Sequence, residues 1–189
     1  MEYPNWFKPH VSNFENCLNK YKNAPDLKFI QIGVYTGDAS IWLLENILTN
    51  PTSTLFDIDT WRGSDEQIHK TFNWEDIENT YNEKVAKYSN VKKQKISSKD
   101  FLLKCKENEF DFIYIDGDHQ ADNVYSDAIL SFKTLKVAGI MAFDDYEWNH
   151  ASKDPLLAPK NGIEKFLTEY KDRIIIKVKN YQVWVQKRF

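Results

Sequence analysis

Phe112-Ile113-Tyr114-Ile115 runs into Asp116-Gly117-Asp118-His119, and Gly139-Ile140-Met141-Ala142-Phe143 runs into Asp144-Asp145-Tyr146. Apolar runs this short, bounded by turn residues, read as strands buried on both faces of a parallel sheet. Open α/β sheets bind ligands outside the carboxyl ends of their strands. Both acid knots therefore belong on the functional rim. Clustered carboxylates repel one another and invite a hard cation.

The rest of the chain repeats the strand-then-helix pattern. Ser12 is expected to cap a short helix over 12–21, with Phe14, Cys17, Leu18 and Tyr21 on one face. Residues 28–32 form a first strand, and Gly33 opens the loop after it. A helix over 38–48 stops at Asn50-Pro51. A second strand over 53–58 ends at Asp59. Residues 61–90 form an insertion, polar but dotted with aromatics and helical from Trp74 onward, of the kind that serves as a lid or an acceptor-binding segment. A third strand spans 91–96, and Ser97 or Ser98 caps a helix to about 106. The fourth strand, 110–115, precedes a helix over 121–135. The fifth strand is 140–143. A Pro-broken loop over 148–160 and a helix over 162–170 follow. Residues 173–178 and 182–186 flank Asn180-Tyr181 as a hairpin. That order makes a doubly wound α/β sheet of seven strands, mostly parallel, with an antiparallel C-terminal hairpin.

The 189 residues suit one domain. A net charge of −3 offers no basic footprint for nucleic acid, and the densest basic run, Lys92, Lys93 and Lys95, reads as a solvated loop and strand entry. Cys17 and Cys105 lack metal-ligand or CxxC spacing, as for thiols in a reducing compartment. The start, Met1-Glu2-Tyr3-Pro4, is no signal peptide, and no apolar run is long enough for a membrane span. A cytoplasmic protein without membrane contact is expected. The hairpin edge and the N-terminal helix offer surfaces for a homodimer.

Three constellations carry chemistry. Gln31-Ile32-Gly33-Val34-Tyr35-Thr36-Gly37 places two glycines between a strand and a helix N-terminus, where backbone approaches a ligand closely. It matches neither GxGxxG nor a P-loop. Asp59, at the end of the second strand, can accept hydrogen bonds from both hydroxyls of a ribose, with Asp57 on the same face as a fallback. Asp116 with Asp144 or Asp145 can chelate Mg²⁺, Mn²⁺ or Ca²⁺ through oxygen.

Together these residues resemble the class I S-adenosylmethionine-dependent methyltransferases, a Rossmann-like group, and within it the small-molecule O-methyltransferases of the macrocin and catechol types. The resemblance spans about residues 29–187, so 1–189 is expected to be a single methyltransferase domain with residues 1–27 as a helical extension. It implies that Gly33 and Gly37 flank the methionine moiety, with Tyr35 in the same loop. Gln31 stands where the family has an acid that meets the cofactor's amino group. Ala39 stands where catechol-type relatives carry a Ser, which Ser40 or Thr36 can replace. Asp59 would bind the ribose and Ser97 would lie near the adenine. Asp116 would border the cofactor, and Asp116, Asp144 and Asp145 would hold the metal, magnesium or another divalent cation.

The implied reaction is methyl transfer to a hydroxyl of a small molecule such as a sugar or catechol-like diol. His119 is a candidate base where catechol-type relatives place a Lys, and Asp118 is its rival, at the place of an acid in macrocin-type enzymes. Tyr146 and Trp148 are candidates for the acceptor wall. Two other readings stand beside this one: a metal-independent methyltransferase, and a non-catalytic S-adenosylmethionine-binding protein, which Gln31 and Ala39 favour.

Overall fold

The structure, a computed structural model, describes residues 3–64, 67–149, 152 and 154–189. Met1 and Glu2 lie outside it, as do Asp65 and Glu66 of the expected insertion and His150, Ala151 and Lys153 of the expected loop. In chain order the elements are α1 (Val11–Leu18), β1 (Lys28–Ile32), α2 (Asp38–Asn46), β2 (Thr54–Asp59), α3 (Trp74–Val85), β3 (Val91–Lys95) and α4 (Ser98–Leu102). There follow β4 (Phe110–Ile115), α5 (Ala121–Thr134), β5 (Leu135–Phe143), α6 (Pro159–Glu169), β6 (Ile174–Lys179) and β7 (Val183–Lys187). They build a seven-stranded sheet of order β3-β2-β1-β4-β5-β7-β6. The first five positions are parallel, and β7 runs antiparallel to both β5 and β6.

Register aligns the strand ends. Ile32 pairs with Ile58 on one side and Ile115 on the other, and Ile115 pairs with Phe143. The slanted parallel ladder runs one residue further: the amides of Gly33, Asp116 and Asp144 donate to the carbonyls of Ile58, Ile32 and Ile115, each at 2.9 Å. Gly33, Asp59, Asp116 and Asp144 consequently leave the sheet along one rim.

Strand alternation splits the core into two layers. Ile30, Ile113, Met141 and Phe143 pack with Ala128 and Phe132 of α5 and Phe166 of α6. Phe29, Phe112, Tyr114 and Ala142 pack with Phe14 and Leu18 of α1 and Leu43 of α2. A third cluster joins Ile77, Tyr81 and Val85 of α3 to Val34 and Trp61. Helix α3 starts at Trp74 because Asn73 caps it, accepting from the amides of Glu75 and Asp76.

Several boundaries differ from the sequence reading. Helix α1 begins at Val11 behind a 3₁₀ turn, Lys8–His10, so Ser12 lies inside the helix instead of capping it. Helix α4 ends at Leu102. Strand β5 starts at Leu135, with a register shift opposite β4 and Ala138 at φ 62, so its first half bulges. Helix α6 starts at Pro159, a residue suited to a first helical turn. Among the described residues no helix is long and apolar enough to cross a membrane.

Candidate active site

The rim opens into a cavity of about 1250 Å³. Pockets for one small ligand run to roughly 300–1,000 Å³, so this space suits a cofactor with an acceptor beside it. Gly33, Tyr35, Asp59, Ser97, Asp116, Asp118, His119, Asp144 and Asp145 all line it. Gln31, Gly37 and Ser40 do not.

The glycine loop is shaped by its neighbours. Gly33 has φ +78, and a Cβ there would sit 1.8 Å from the Asp116 carbonyl oxygen. Gly37 has φ +82 and faces the Tyr81 ring. Asp59 holds the loop from the next strand. Its Oδ2 accepts from the amides of Val34 (2.7 Å) and Tyr35 (3.0 Å), and its Oδ1 accepts from Trp61 N (2.7 Å). Three of about four acceptor positions are thus taken, and a diol at Asp59 must share with the loop. Tyr35 and Trp61 adopt φ 53 and 48, and the Trp61 indole N–H donates to the Tyr35 carbonyl at 3.0 Å. Strained backbone of this kind collects at ligand sites.

Beneath the loop, polar groups face inward. Gln31 donates to the Gly33 carbonyl (3.1 Å) and accepts from Ser40 Oγ (3.0 Å), so both ends of its amide are satisfied inside the protein. Thr36 is buried and donates to Asp38. Asp57, the fallback for the ribose, is fully buried and accepts from Tyr81 OH at 2.9 Å. Burial pushes its carboxyl up to about 7.

The acid knots converge. Asp116, His119 and Asp145 offer ligand atoms within 4.8 Å of one another. His119 Nε2 lies 2.8 Å from Asp145 Oδ2, and the His119 ring packs against Trp148 at 4.7 Å between centroids. Asp145 stands at φ 56 and also accepts from Tyr181 OH at 3.2 Å. Asp144 stands apart from this trio. Tyr114 OH donates to its Oδ2, its Oδ1 accepts from Asp145 N at 2.9 Å, and His10 Nε2 lies 3.7 Å from that Oδ1. Burial first, then Asp144 and Asp145, drive the Asp116 carboxyl well above the usual range. Burial and then Asp145 raise Asp144. These carboxyls cannot all ionise cheaply without a cation, and the donor set of the trio, two carboxylates and an imidazole, fits a divalent one.

Asp118 Oδ1 accepts from Gln120 N at 2.7 Å, an Asx-type turn into α5. Ser97 caps α4, accepting from Asp100 N at 3.1 Å. The two aromatics assigned to the acceptor wall part company. Trp148 lines the cavity, whereas Tyr146 is buried, donates to Glu164 and lies under Lys160.

Sequence reading missed the cover over this rim. Trp6 and His10 of the N-terminal segment line the cavity, with Trp6 stacked on Tyr35 at 4.6 Å and His10 on Tyr181 at 5.5 Å. It also missed Asp127 of α5, which lines the cavity and accepts from Ser98 Oγ at 2.7 Å. No local pattern marks these residues. Lys93 and Lys95 of the basic run both pair with Glu78.

Sheet order and rim define the class I S-adenosylmethionine-dependent methyltransferase fold. The chain belongs to the methyltransferase-domain family, whose profile matches residues 30–146. It is 27% identical over 146 residues to an uncharacterized protein, R132, of Acanthamoeba polyphaga mimivirus, covering 75% of this chain and 61% of that relative. The chain thus spans under two thirds of that curated relative's length. It superimposes on the O-methyltransferase of Bacillus cereus solved with S-adenosylhomocysteine, at TM-score 0.61 and 18% identity over 85% of this chain and 74% of the other. It also superimposes on the MycE methyltransferase of mycinamycin biosynthesis, solved with Mg, S-adenosylhomocysteine and mycinamycin VI. There the TM-score is 0.63 and the identity 17%, over 100% of this chain and 51% of MycE.

Proposed function

We propose that this chain transfers the methyl group of S-adenosylmethionine to a hydroxyl of a small molecule, such as a sugar or catechol-like diol, with a divalent cation assisting. One observation carries the reading: the Asp116–His119–Asp145 trio shares a cavity wall with the glycine loop. The Mg and S-adenosylhomocysteine of the MycE complex support it. Asp116, His119 and Asp145 would hold Mg²⁺, or another ion that accepts an imidazole nitrogen. Such a cation, when bound, lowers the pKa of an acceptor hydroxyl and fixes its oxygen.

The chain's own residues do the rest. Gly33 and Tyr35 would border the methionine end, Asp59 would receive the ribose and Ser97 would lie toward the adenine. Cavity walls align the sulfonium carbon with the acceptor oxygen for an in-line displacement, an alignment worth several kcal/mol. Asp118 takes the acceptor's proton while His119 serves the cation. The 2.8 Å contact between His119 and Asp145 favours one other reading. Without a cation, the same pair is a general base oriented by a carboxylate. The acceptor is a small molecule rather than nucleic acid, since the chain's net charge of −3 supplies no basic footprint.

Titration calorimetry with S-adenosylhomocysteine tests the cofactor, and absence of binding overturns the proposal. Turnover that survives EDTA unchanged moves the chemistry to the His119–Asp145 base.

A further inference from the structure

We propose that Asp127 reads the purine of the cofactor, its carboxylate accepting a hydrogen bond from the exocyclic amino group of adenine; this rests on the cofactor reading above. Asp127 is 6% exposed, yet it lines the cavity. Among the described residues its carboxylate takes one hydrogen bond, from Ser98 Oγ, at 2.7 Å to Oδ1. No ion pair reaches it among the described residues, and the cavity-lining residues beside it in α5, Asn123 and Ser126, are neutral. A buried carboxylate with so little compensation is costly. On the interior face that α5 turns to the core with Val124, Ala128 and Phe132, an apolar residue would pack at no such cost.

Position along the rim names the donor. Sheet order runs β1, β2, β3 outward. A cofactor with its methionine at Gly33 after β1 and its ribose at Asp59 after β2 carries its purine toward Ser97 and Ser98 after β3. Asp127 shares that end through Ser98. The purine group there that can donate is the 6-amino group. Burial lifts the Asp127 carboxyl only to about 6, so it remains an acceptor at neutral pH.

The test compares S-adenosylhomocysteine with S-inosylhomocysteine, whose 6-oxo group accepts instead of donating. By calorimetry at pH 7.5, the wild-type protein should prefer the adenine compound by roughly tenfold or more, the scale of a hydrogen bond to a charged group. Asp127→Asn keeps the volume and the Ser98 bond, and its amide can donate to a 6-oxo group. It should shrink that preference or invert it. Equal binding of both compounds by the wild type overturns the proposal whatever the variant's fold. So does an unchanged preference in a variant with a normal melting transition. A wild type that binds neither compound overturns the cofactor reading itself.

Discussion

His119 Nε2 lies 2.8 Å from Asp145 Oδ2, which ties the loop after β4 to the loop after β5. The adjacent Asp144, which also lines the cavity, instead meets Tyr114 and His10. Neighbouring acids in one knot therefore have different partners. Asp116→Asn, His119→Ala and Asp145→Asn should each weaken Mn²⁺ binding at least roughly tenfold, and Asp144→Asn should weaken it less. Calorimetric Mn²⁺ titration of EDTA-stripped protein checks this. A larger loss at Asp144 than at His119 returns the ligand set to three carboxylates.

Asp59→Ala removes the acceptor of three backbone amides as well as the expected ribose contact. Each such charge-assisted bond is worth about 1.5–3 kcal/mol. Affinity for S-adenosylhomocysteine should fall more than tenfold, with a lower melting temperature. Retained affinity would show that Asp59 serves the loop alone.

Gly33→Ala should destabilise the fold by more than about 1 kcal/mol, because its φ is positive and its Cβ would strike the Asp116 carbonyl. Denaturant unfolding measures the loss. A neutral result would mean the rim relaxes freely.

Asp57 sets a pH dependence. Its folded value near 7 lies above the unfolded value of about 3.9. The folded state therefore binds the proton more tightly, and this group's contribution to stability falls as pH rises from about 4 through 7. About three units at roughly 1.4 kcal/mol each amount to about 4 kcal/mol. Asp57→Asn should flatten the decline between pH 5 and 8, since the amide oxygen can still accept from Tyr81. Urea unfolding of both proteins across that range is the check, and parallel profiles would refute it.

Phe14 anchors the N-terminal cover. It is fully buried, edge-on to Phe7, Trp42, Tyr114 and Trp184. Phe14→Ala should cost about 3–5 kcal/mol. It should also speed proteolysis ahead of β1, where Trp6 and His10 close the cavity; unchanged cleavage would mean the cover docks without it.

Strands β1, β2 and β4 and the start of α3 were legible in the sequence because alternation, apolar runs and capping are local. The same locality placed Gly33, Asp59, Asp116 and Asp145 on the rim, since each ends its strand or lies within two residues of that end. What a side chain does beyond that point depends on partners far along the chain. Gln31 faces Ser40 on α2, Asp57 faces Tyr81 on α3, and Asp127 on α5 faces Ser98 on α4. His10 meets Tyr181 and Asp144 only because α1 packs its Phe14 against the sheet. Strand pattern determined which residues reach the functional edge. Helix packing against the two sheet faces, a sum of contacts remote in sequence, decided which of them turn into the cavity and which satisfy one another inside.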